Sequence, residues 1–280
     1  MPSIRLFFIG DIVGKPGRAV LKNRLRAFVE EQKIEFVVAN AENAAGGSGL
    51  TAQVARELFE TGIEVLTMGD HVWRQLEIVP MMESDDRIIR PINYPSGTPG
   101  RGFTIREGPK GSKIAVINAL GRVYMKPIDC PFMAVEKALE EIYRSTRVIL
   151  VDFHAEATSE KIAMGWFLDG RVSAVLGTHT HVLTADWTVL PKGTAYITDA
   201  GMTGPYDSVI GRRKDRVIMS LTTLMPFRFD VAAGDSRISG AILEVDPETG
   251  RASFIEAAVI NEDGRRIFPK SQEKGSTGEK

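Results

Sequence analysis

The chain has 280 residues and a mass of 30.7 kDa, enough for one large domain with a sizeable core. Its 35 basic and 36 acidic residues give a formal net charge of -1, so the charge balance gives no sign of a protein that wraps nucleic acid or of an acidic tail. The single cysteine, Cys130, excludes an internal disulfide and a cysteine-rich metal site, and no run approaches the roughly 20 apolar residues that span a bilayer. These features predict a cytoplasmic protein without a membrane partner.

Short apolar, β-branched runs alternate with segments of helical spacing. The predicted strands are, in chain order, IRLFFIG (4–10), FVVAN (36–40), EVLTMG (64–69), IAVINAL (114–120), VILVDF (148–153), VSAVLG (172–177) and TAYITD (194–199). Apolar spacing predicts helices over 17–32 and 133–145, and Thr51 is the expected cap of a further helix. Because each strand run is apolar enough to be covered on both faces, the pattern predicts an α/β layer fold.

The end of the chain has a different pattern. The runs 239–246 and 251–260, separated by the turn PETG, predict an antiparallel hairpin at the edge of a mixed sheet. The Pro/Gly-rich stretch 94–102 is expected to separate two halves of the sheet structure. Since no long linker or repeat interrupts the pattern, we expect a single domain over 1–268, followed by a disordered tail over 269–280.

Polar residues collect directly after the predicted strands. The carboxyl ends of five strands carry, in order, Asp11, Glu42 with Asn43, Asp70 with His71, His154, and His179 with His181. All four histidines of the chain are in this set. In open α/β sheets, ligands bind at the carboxyl edge of the strands.

Each of these residues alone has an ordinary explanation. A carboxylate after a strand is usually a turn residue or a helix cap, and a lone histidine is usually structural. The two histidines at 179 and 181 would point to different sides of a helix, so we expect an extended segment in which they share a face. All four histidines of the chain nevertheless lie at the ends of predicted strands, and this distribution favours one shared functional site.

Imidazole, carboxylate and amide groups without thiolate suit a divalent ion such as Mn, Fe, Zn, Ni or Mg. With His71 set aside, seven candidate ligands exceed what one ion usually takes from a protein. The set therefore favours two metals that share a carboxylate.

Six segments resemble the signature stretches of the bacterial YmdB-like metallophosphoesterases. They are GDIVG (10–14), NAENAAGG (40–47), GDHVW (69–73), VDFHAEATSEK (151–161), GTHTHV (177–182) and TDAGMTGPYDSVIG (198–211). The family is similar to the calcineurin-like dinuclear phosphoesterases and is associated with cyclic-nucleotide phosphodiesterase activity. The resemblance extends from about residue 4 to about residue 260 and implies an α/β fold, a layered α-β-β-α sandwich with mixed sheets.

The resemblance also implies a ligand set. One metal would be held by Asp11, Asn43 and His181, the other by Asp70, His154 and His179, with Glu42 as the bridge. His71 would stay outside the coordination sphere and face the substrate.

Two positions depart from the wider pattern. Calcineurin-like enzymes commonly begin with Asp-x-His, whereas Asp11 is followed by Ile12 and Val13, so Asn43 is needed to complete that site. The third motif usually reads Gly-Asn-His, but Asp70 stands at its centre here. The extra negative charge is expected to hold the metals more strongly and to offset part of the positive field that attracts a phosphate.

The expected cofactors are two divalent ions, Fe or Mn first and Zn, Mg or Ni as alternatives. The expected reaction is hydrolysis of a small cyclic nucleotide, 2',3' or 3',5', by hydroxide held between the metals, with His71 as general acid for the departing oxygen. A phosphomonoesterase or nucleotidase is the alternative within enzymes, because the same centre handles both esters. A regulatory protein that binds a nucleotide or RNA machinery with weak catalysis is the alternative outside them, and a homo-oligomer is compatible with every reading.

Candidate substrate contacts are less specific. Gly46 and Gly47 allow positive φ, so this loop can turn amide N–H groups toward phosphate or can simply lead into the next helix. Tyr206 is available for base stacking or belongs to an ordinary surface loop. The basic cluster 212–216, with Lys15 and Arg18, is expected to be a solvated charged face.

Overall fold

The computed structural model describes residues 3–267, which form two mixed β-sheets flanked by helices. The strands are β1 (Ile4–Ile9), β2 (Asp11–Ile12), β3 (Phe36–Asn40), β4 (Val65–Thr67), β5 (Ile88–Ile89), β6 (Phe103–Glu107), β7 (Lys113–Leu120), β8 (Val148–His154), β9 (Ala174–Thr178), β10 (Thr188–Val189), β11 (Ala195–Ile197), β12 (Met202–Pro205), β13 (Ser236–Val245) and β14 (Ala252–Ile260). The helices are α1 (Gly14–Gln32), α2 (Ala52–Phe59), α3 (Val79–Ser84), α4 (Pro131–Ile142), α5 (Thr158–Leu168) and α6 (Lys214–Thr223), with short 3-10 turns at Leu76–Ile78 and Pro109–Gly111.

The first sheet has the strand order β2-β12-β13-β1-β3-β4-β5, and β14 pairs with β13. The second sheet has the order β10-β11-β9-β8-β7-β6. Strands β1, β3, β4 and β5 run parallel in the first sheet, and β7, β8, β9 and β11 run parallel in the second. The parallel strands of each sheet therefore end at one common edge.

The side chains of each central strand alternate between two cores. In β1, Leu6 and Phe8 pack between the sheets, whereas Phe7 and Ile9 pack against α1 and α2. The second sheet packs its outer face against α4 and α5 in the same way. The result is the four-layer α-β-β-α sandwich that the resemblance implied.

Most predicted elements are present with small shifts at their ends. The predicted hairpin is β13 and β14 at the edge of the first sheet, and the stretch 94–102 connects β5 of the first sheet to β6 of the second. Thr51 caps α2 by accepting a hydrogen bond from the Val54 backbone N–H at 3.2 Å. The two-residue strands were not predicted, because two residues are too few to show a period.

The predicted domain limit at residue 268 and the predicted tail 269–280 lie outside the described residues. Within residues 3–267, no helix combines the length and the apolar character that crossing a bilayer requires.

The faces that the two sheets turn toward each other change from apolar to polar near the carboxyl edge. In β8, Val148 and Leu150 belong to the core between the sheets, and the next two residues on that face are Asp152 and His154. The equivalent last positions of β3, β4 and β9 are Asn40, Thr67 and Thr178, and all of these polar side chains are fully buried. We call Asn40, Thr67, Asp152 and Thr178 the polar layer.

Asp152 is the hydrogen-bond acceptor at the centre of the polar layer. Its carboxylate accepts hydrogen bonds from Thr67 Oγ1 and from Asn40 Nδ2 (2.9 Å), both of the first sheet. It also accepts one from Thr178 Oγ1 (2.7 Å) of the second sheet. Burial raises the pKa of Asp152 to about 6. The polar layer therefore fixes the two carboxyl edges relative to each other.

Candidate metal centre

The two sheets bring the strand-end residues together in one cluster. His154 Nε2 lies 3.2 Å from Glu42 Oε2 and 3.6 Å from Asp70 Oδ1. His179 Nδ1 lies 3.0 Å from His154 Nε2 and 3.8 Å from Asp70 Oδ1. Ligand atoms of these four residues all lie within 4.8 Å of one another, which is the spacing of a site that can hold a metal ion.

A second group lies beside the first. His181 Nε2 is 3.7 Å from Asp11 Oδ1 and 3.2 Å from Asn43 Nδ2. Glu42 reaches both groups, because its Oε1 accepts a hydrogen bond from Asn43 Nδ2 (2.9 Å) while its Oε2 faces His154. This is the position expected of a bridging carboxylate.

The carboxylates of the cluster are incompletely satisfied by the protein. Asp11 Oδ1 and Asp70 Oδ1 are buried and have no hydrogen-bond partner among residues 3–267. Burial raises the pKa of Asp11, whereas the pKa of Glu42 is held low against the effect of burial because His154 and His71 contact it. Buried carboxylate oxygens without donors are unfavourable unless a cation meets them, so these residues fit a metal centre.

The imidazoles give a second test of this fit. Thr178 Oγ1 donates to Asp152, so it accepts from His154 Nδ1 (2.9 Å), which must carry a hydrogen. His179 Nε2 faces Glu156 Oε2 at 3.1 Å, which places a hydrogen on that nitrogen. In the neutral rings, His154 Nε2 and His179 Nδ1 then direct lone pairs at each other over 3.0 Å. Glu42 and Asp70 raise the pKa of His154 despite its burial, so a proton on Nε2 satisfies this contact in the metal-free cluster, and a metal ion can take the place of that proton.

The segment carrying the last two histidines departs from the expected conformation. β9 ends at Thr178, and His179 (φ 98°) and His181 (φ 65°) have left-handed backbone, so the prediction of an extended segment was wrong. Both rings still face the cluster. His181 Nδ1 donates to the Ile210 carbonyl oxygen (3.0 Å), so Nε2 carries the lone pair and faces Asn43 Nδ2 at 3.2 Å. Such a backbone is unfavourable for non-glycine residues and persists only where surrounding contacts hold it.

A buried ion pair supplies those contacts. Asp199 accepts hydrogen bonds from the backbone N–H (3.0 Å) and the hydroxyl (2.7 Å) of Thr180, the residue between the two histidines. Lys161 Nζ lies 2.7 Å from the same Asp199 oxygen, and both side chains are essentially inaccessible to solvent. The pair therefore fixes the turn that presents His179 and His181.

His71 borders the cluster without joining its centre. Its Nδ1 lies 2.8 Å from Asn43 Oδ1 and 3.2 Å from Glu42 Oε1, so this nitrogen carries a hydrogen. Its Nε2 lies 3.8 Å from Asp70 Oδ2, beyond hydrogen-bond distance. The hydrogen bond to Glu42 raises the pKa of His71 despite partial burial.

A cavity of about 280 Å³ lies above the cluster. Its lining residues are Glu42, Asn43, His71, Glu156, His179, Thr180, His181, Ile210 and Arg212. Gly46 and Gly47 have φ of 62° and 89°, as predicted for this loop. Tyr206 lies instead in a neighbouring cavity of about 600 Å³ that shares His181 and Ile210; its hydroxyl donates to Met202 O and Arg237 stacks on its ring.

Four further residues of the cluster and its surroundings were not predicted from the sequence as parts of the site: Asp152, Glu156, Asp199 and Arg212. Asp152 had a usable signal, because it is a charged residue inside an apolar strand run, two positions before His154 and hence on the same face. Asp199 and Glu156 also had a signal, because Asp199 ends the predicted strand run 194–199 and Glu156 lies two positions after His154. Arg212 depends on a contact with a distant part of the chain, and no local spacing marks it.

Metal loading is expected to stabilise the folded protein. Mn²⁺ at about a hundredfold excess over its Kd should raise the free energy of unfolding by about 2.7 kcal/mol per site, because the ion binds the native cluster only. Chemical denaturation with and without Mn²⁺, combined with elemental analysis, measures this. Glu42→Gln should shrink the increase and Asp263→Asn, at an exposed surface position, should leave it unchanged. Equal denaturation curves with and without metal would contradict the assignment of the cluster.

Gly69→Ala is expected to disturb the cluster more than the fold. A Cβ at this position would lie 2.2 Å from Glu42 Oε2 and 2.4 Å from His154 Nε2, while the backbone of Gly69 does not have positive φ. Metal affinity should fall roughly 10- to 100-fold, as when the surroundings of a metal ligand are disturbed.

Gly102→Ala provides the contrast for that measurement. Its Cβ would collide with Ile92 at 2.5 Å, so it should lower stability and leave metal affinity unchanged. A Gly69→Ala protein with full metal affinity would show that the close approach at Gly69 is not needed.

Comparison with known proteins agrees with this geometry. The family model described as "YmdB-like protein" matches residues 7–258. A Bacillus subtilis protein named 2',3'-cyclic-nucleotide 2'-phosphodiesterase is 46% identical over 260 residues, which cover 93% of this chain and 98% of the relative. A crystal structure of a novel phosphatase from Mycoplasma pneumoniae superposes with a TM-score of 0.88 at 35% identity, covering 93% of this chain and 95% of that one.

A Thermus thermophilus protein described as hypothetical gives a TM-score of 0.85 at 42% identity, covering 92% of this chain and 99% of that chain. Together these matches place the chain among enzymes, as a hydrolase of the phosphodiesterase class. The fold, the clustered ligands and the relatives agree, and the chain belongs to the YmdB-like family.

Proposed function

We propose that this enzyme is a dinuclear phosphodiesterase that hydrolyses small cyclic nucleotides, with 2',3'-cyclic nucleotides as the favoured class. The observation that carries the proposal is the position of Glu42, between two groups of ligand side chains and beneath a cavity of about 280 Å³. A cavity of this size suits a small phosphoester better than a polymer. The name of the Bacillus subtilis relative supports the choice of ester.

The proposed ligand sets follow the two groups around Glu42. Asp11, Asn43 and His181 would hold one ion, Asp70, His154 and His179 the other, and Glu42 both. Two divalent ions held there would supply the Lewis acidity and the activated water that phosphodiester hydrolysis requires. Fe or Mn is the favoured pair, although this nitrogen and oxygen ligand set also accepts Zn, Mg and Ni.

His71 is the proposed proton donor to the departing oxygen. Its ring borders the cavity, and its Nδ1 is already occupied by Asn43 Oδ1 at 2.8 Å. Among residues 3–267, Nε2 has no partner within hydrogen-bond distance and is the nitrogen left to protonate a leaving group.

The neighbouring cavity offers a place for the nucleobase. It adjoins the metal centre through His181 and Ile210 and has a mainly apolar lining that includes Tyr206. A nucleotide with its phosphate above Glu42 can extend its base in this direction. The loop with Gly46 and Gly47 is the proposed neighbour of the phosphate, because the Gly47 carbonyl oxygen accepts a hydrogen bond from Arg212 of the cavity wall. A cytoplasmic location and a homo-oligomeric state stay predictions.

A phosphomonoesterase is the second candidate, because the matched Mycoplasma pneumoniae structure is described as a phosphatase. The same metal centre serves both ester types, so only the cavity walls discriminate between them.

A metal-by-substrate screen tests the proposed function. We expect the protein loaded with Fe or Mn to turn over 2',3'-cyclic nucleotides faster than 3',5'-cyclic nucleotides or nucleoside monophosphates. Product chromatography detects the diesterase and phosphate release detects the monoesterase. Glu42→Gln should abolish turnover with every substrate, and faster release of phosphate from monoesters would replace the proposal with the second candidate.

His71→Ala is expected to lower the rate on the natural diester on the order of 100- to 10,000-fold while both metals stay bound. The loss should be much smaller for a diester with a nitrophenolate leaving group, which departs without a proton. Elemental analysis serves as the control for the centre. An equal loss with both leaving groups would remove His71 from the role of proton donor.

A further inference from the structure

The basic segment 212–216 contains three exposed residues, 213–215, and two half-buried arginines, of which Arg212 lines the cavity. Arg213 Nη2 lies 2.8 Å from Asp215 Oδ2, and Lys214 pairs with Asp207, so these side chains form the solvated charged face that the sequence predicted. Arg212 does not belong to this face, because its side chain is half-buried and lines the cavity above the metal centre.

The partners of Arg212 are unusual for an arginine in this position. Its Nη2 donates to the Gly47 carbonyl oxygen and its Nη1 to the Phe229 carbonyl oxygen (3.2 Å). Neither acceptor carries a full charge, and no Asp or Glu of residues 3–267 forms an ion pair with this guanidinium. A guanidinium has five N–H donors, so several stay free for another acceptor. The hydrogen bonds of Arg212 within residues 3–267 go to carbonyl groups, and Asp230 attracts its charge only from beyond ion-pair distance, so this half-buried cation is poised to meet an anion.

Gly47 makes room for this arrangement. A Cβ at position 47 would lie 2.4 Å from Arg212 Nη1 and 2.9 Å from its Cζ, and the φ of 89° also favours glycine. The loop that contains Gly47 and the segment that contains Phe229 thus hold the guanidinium from two sides. A cation fixed in advance binds its anion without first losing side-chain freedom.

The charged side chains that line the cavity favour a role for Arg212 in binding a phosphoester. Arg212 is the only lysine or arginine among the lining residues, which also include the carboxylates of Glu42 and Glu156. A phosphoester that enters the cavity meets these negative groups, so a fixed positive charge on the wall favours its binding.

We propose that Arg212 binds the substrate phosphate by donating N–H hydrogen bonds to a non-bridging oxygen. This inference rests on the proposed function, because it assumes that a phosphoester occupies the cavity. Arg212 then acts as a substrate-binding residue beside the metal centre, and Gly47 acts by leaving space for it.

Three variants of the metal-loaded full chain test this role. Arg212→Gln removes the charge, Arg212→Lys keeps the charge without the planar fork, and Arg213→Gln changes the adjacent exposed arginine as the matched control. Binding of inorganic phosphate is measured by calorimetry, which needs no turnover, and KM and kcat are measured with the diester. Elemental analysis and thermal unfolding follow the metals and the fold.

For Arg212→Gln we expect the dissociation constant of phosphate to rise roughly 10- to 100-fold, the usual effect of losing a hydrogen bond to a charged group. KM should rise by a similar factor and kcat should change less, because the contact is present in the bound substrate as well as in the transition state. Arg212→Lys should fall between Arg212→Gln and wild type, and Arg213→Gln should equal wild type.

An Arg212→Gln protein that binds phosphate as tightly as wild type would overturn the inference. A loss of phosphate affinity together with a loss of bound metal would also overturn it, because that result would indicate a structural role for Arg212. Failure of the proposed function has a different signature. In that case the wild-type chain hydrolyses no cyclic nucleotide under any metal loading, and the ratio of phosphate affinities between Arg212→Gln and Arg213→Gln still decides the role of Arg212.

Discussion

The carboxylate of Asp152 fixes the relative position of the two sheets at the edge where the metal centre lies. Neither sheet carries the whole cluster: Asp11, Glu42, Asn43 and Asp70 follow strands of the first sheet, and the three clustered histidines follow strands of the second. The apolar core between the sheets drives them together, but hydrophobic burial is not directional. Hydrogen bonds from Asn40 and Thr67 on one side and Thr178 on the other supply the missing direction.

The same carboxylate also determines which imidazole nitrogen faces the centre. Thr178 cannot donate to Asp152 and to His154 at once, so His154 must donate its Nδ1 hydrogen and keep Nε2 free. The Asp199–Lys161 pair has the equivalent effect on the turn with His179 and His181. Removing one partner of such a buried pair leaves an uncompensated charge, which typically destabilises a protein by about 3–5 kcal/mol. Geometry at the cluster is therefore maintained by groups that do not belong to it.

The residues of the candidate site could be predicted because their signal is local. Each lies at or just after the end of a predicted strand, and parallel strands place their ends at a common edge, so composition and period were sufficient to predict that these residues cluster. The packing of the two sheets against each other could not be predicted from local spacing, because it depends on contacts such as the one between Asn40 and Asp152, which are 112 positions apart. Arg212 shows the limit most clearly. The two residues after it, Arg213 and Lys214, are exposed and ion-paired, and the contacts of Arg212 with Gly47, 165 positions away, and with Phe229 distinguish it from them.

Charge balance links Asp70 to Arg212. In the proposed two-ion centre, Asp11, Glu42 and Asp70 cancel three of the four positive charges of the metals, whereas an amide at position 70 would leave two uncancelled. The field that attracts a phosphate is correspondingly weaker in this chain. A guanidinium fixed at the wall of the same cavity restores one positive charge without adding a ligand to the metals. Asp70 strengthens metal binding but weakens the attraction of an anionic substrate. The chain can therefore meet the two requirements with different residues, Asp70 for the metals and Arg212 for the substrate.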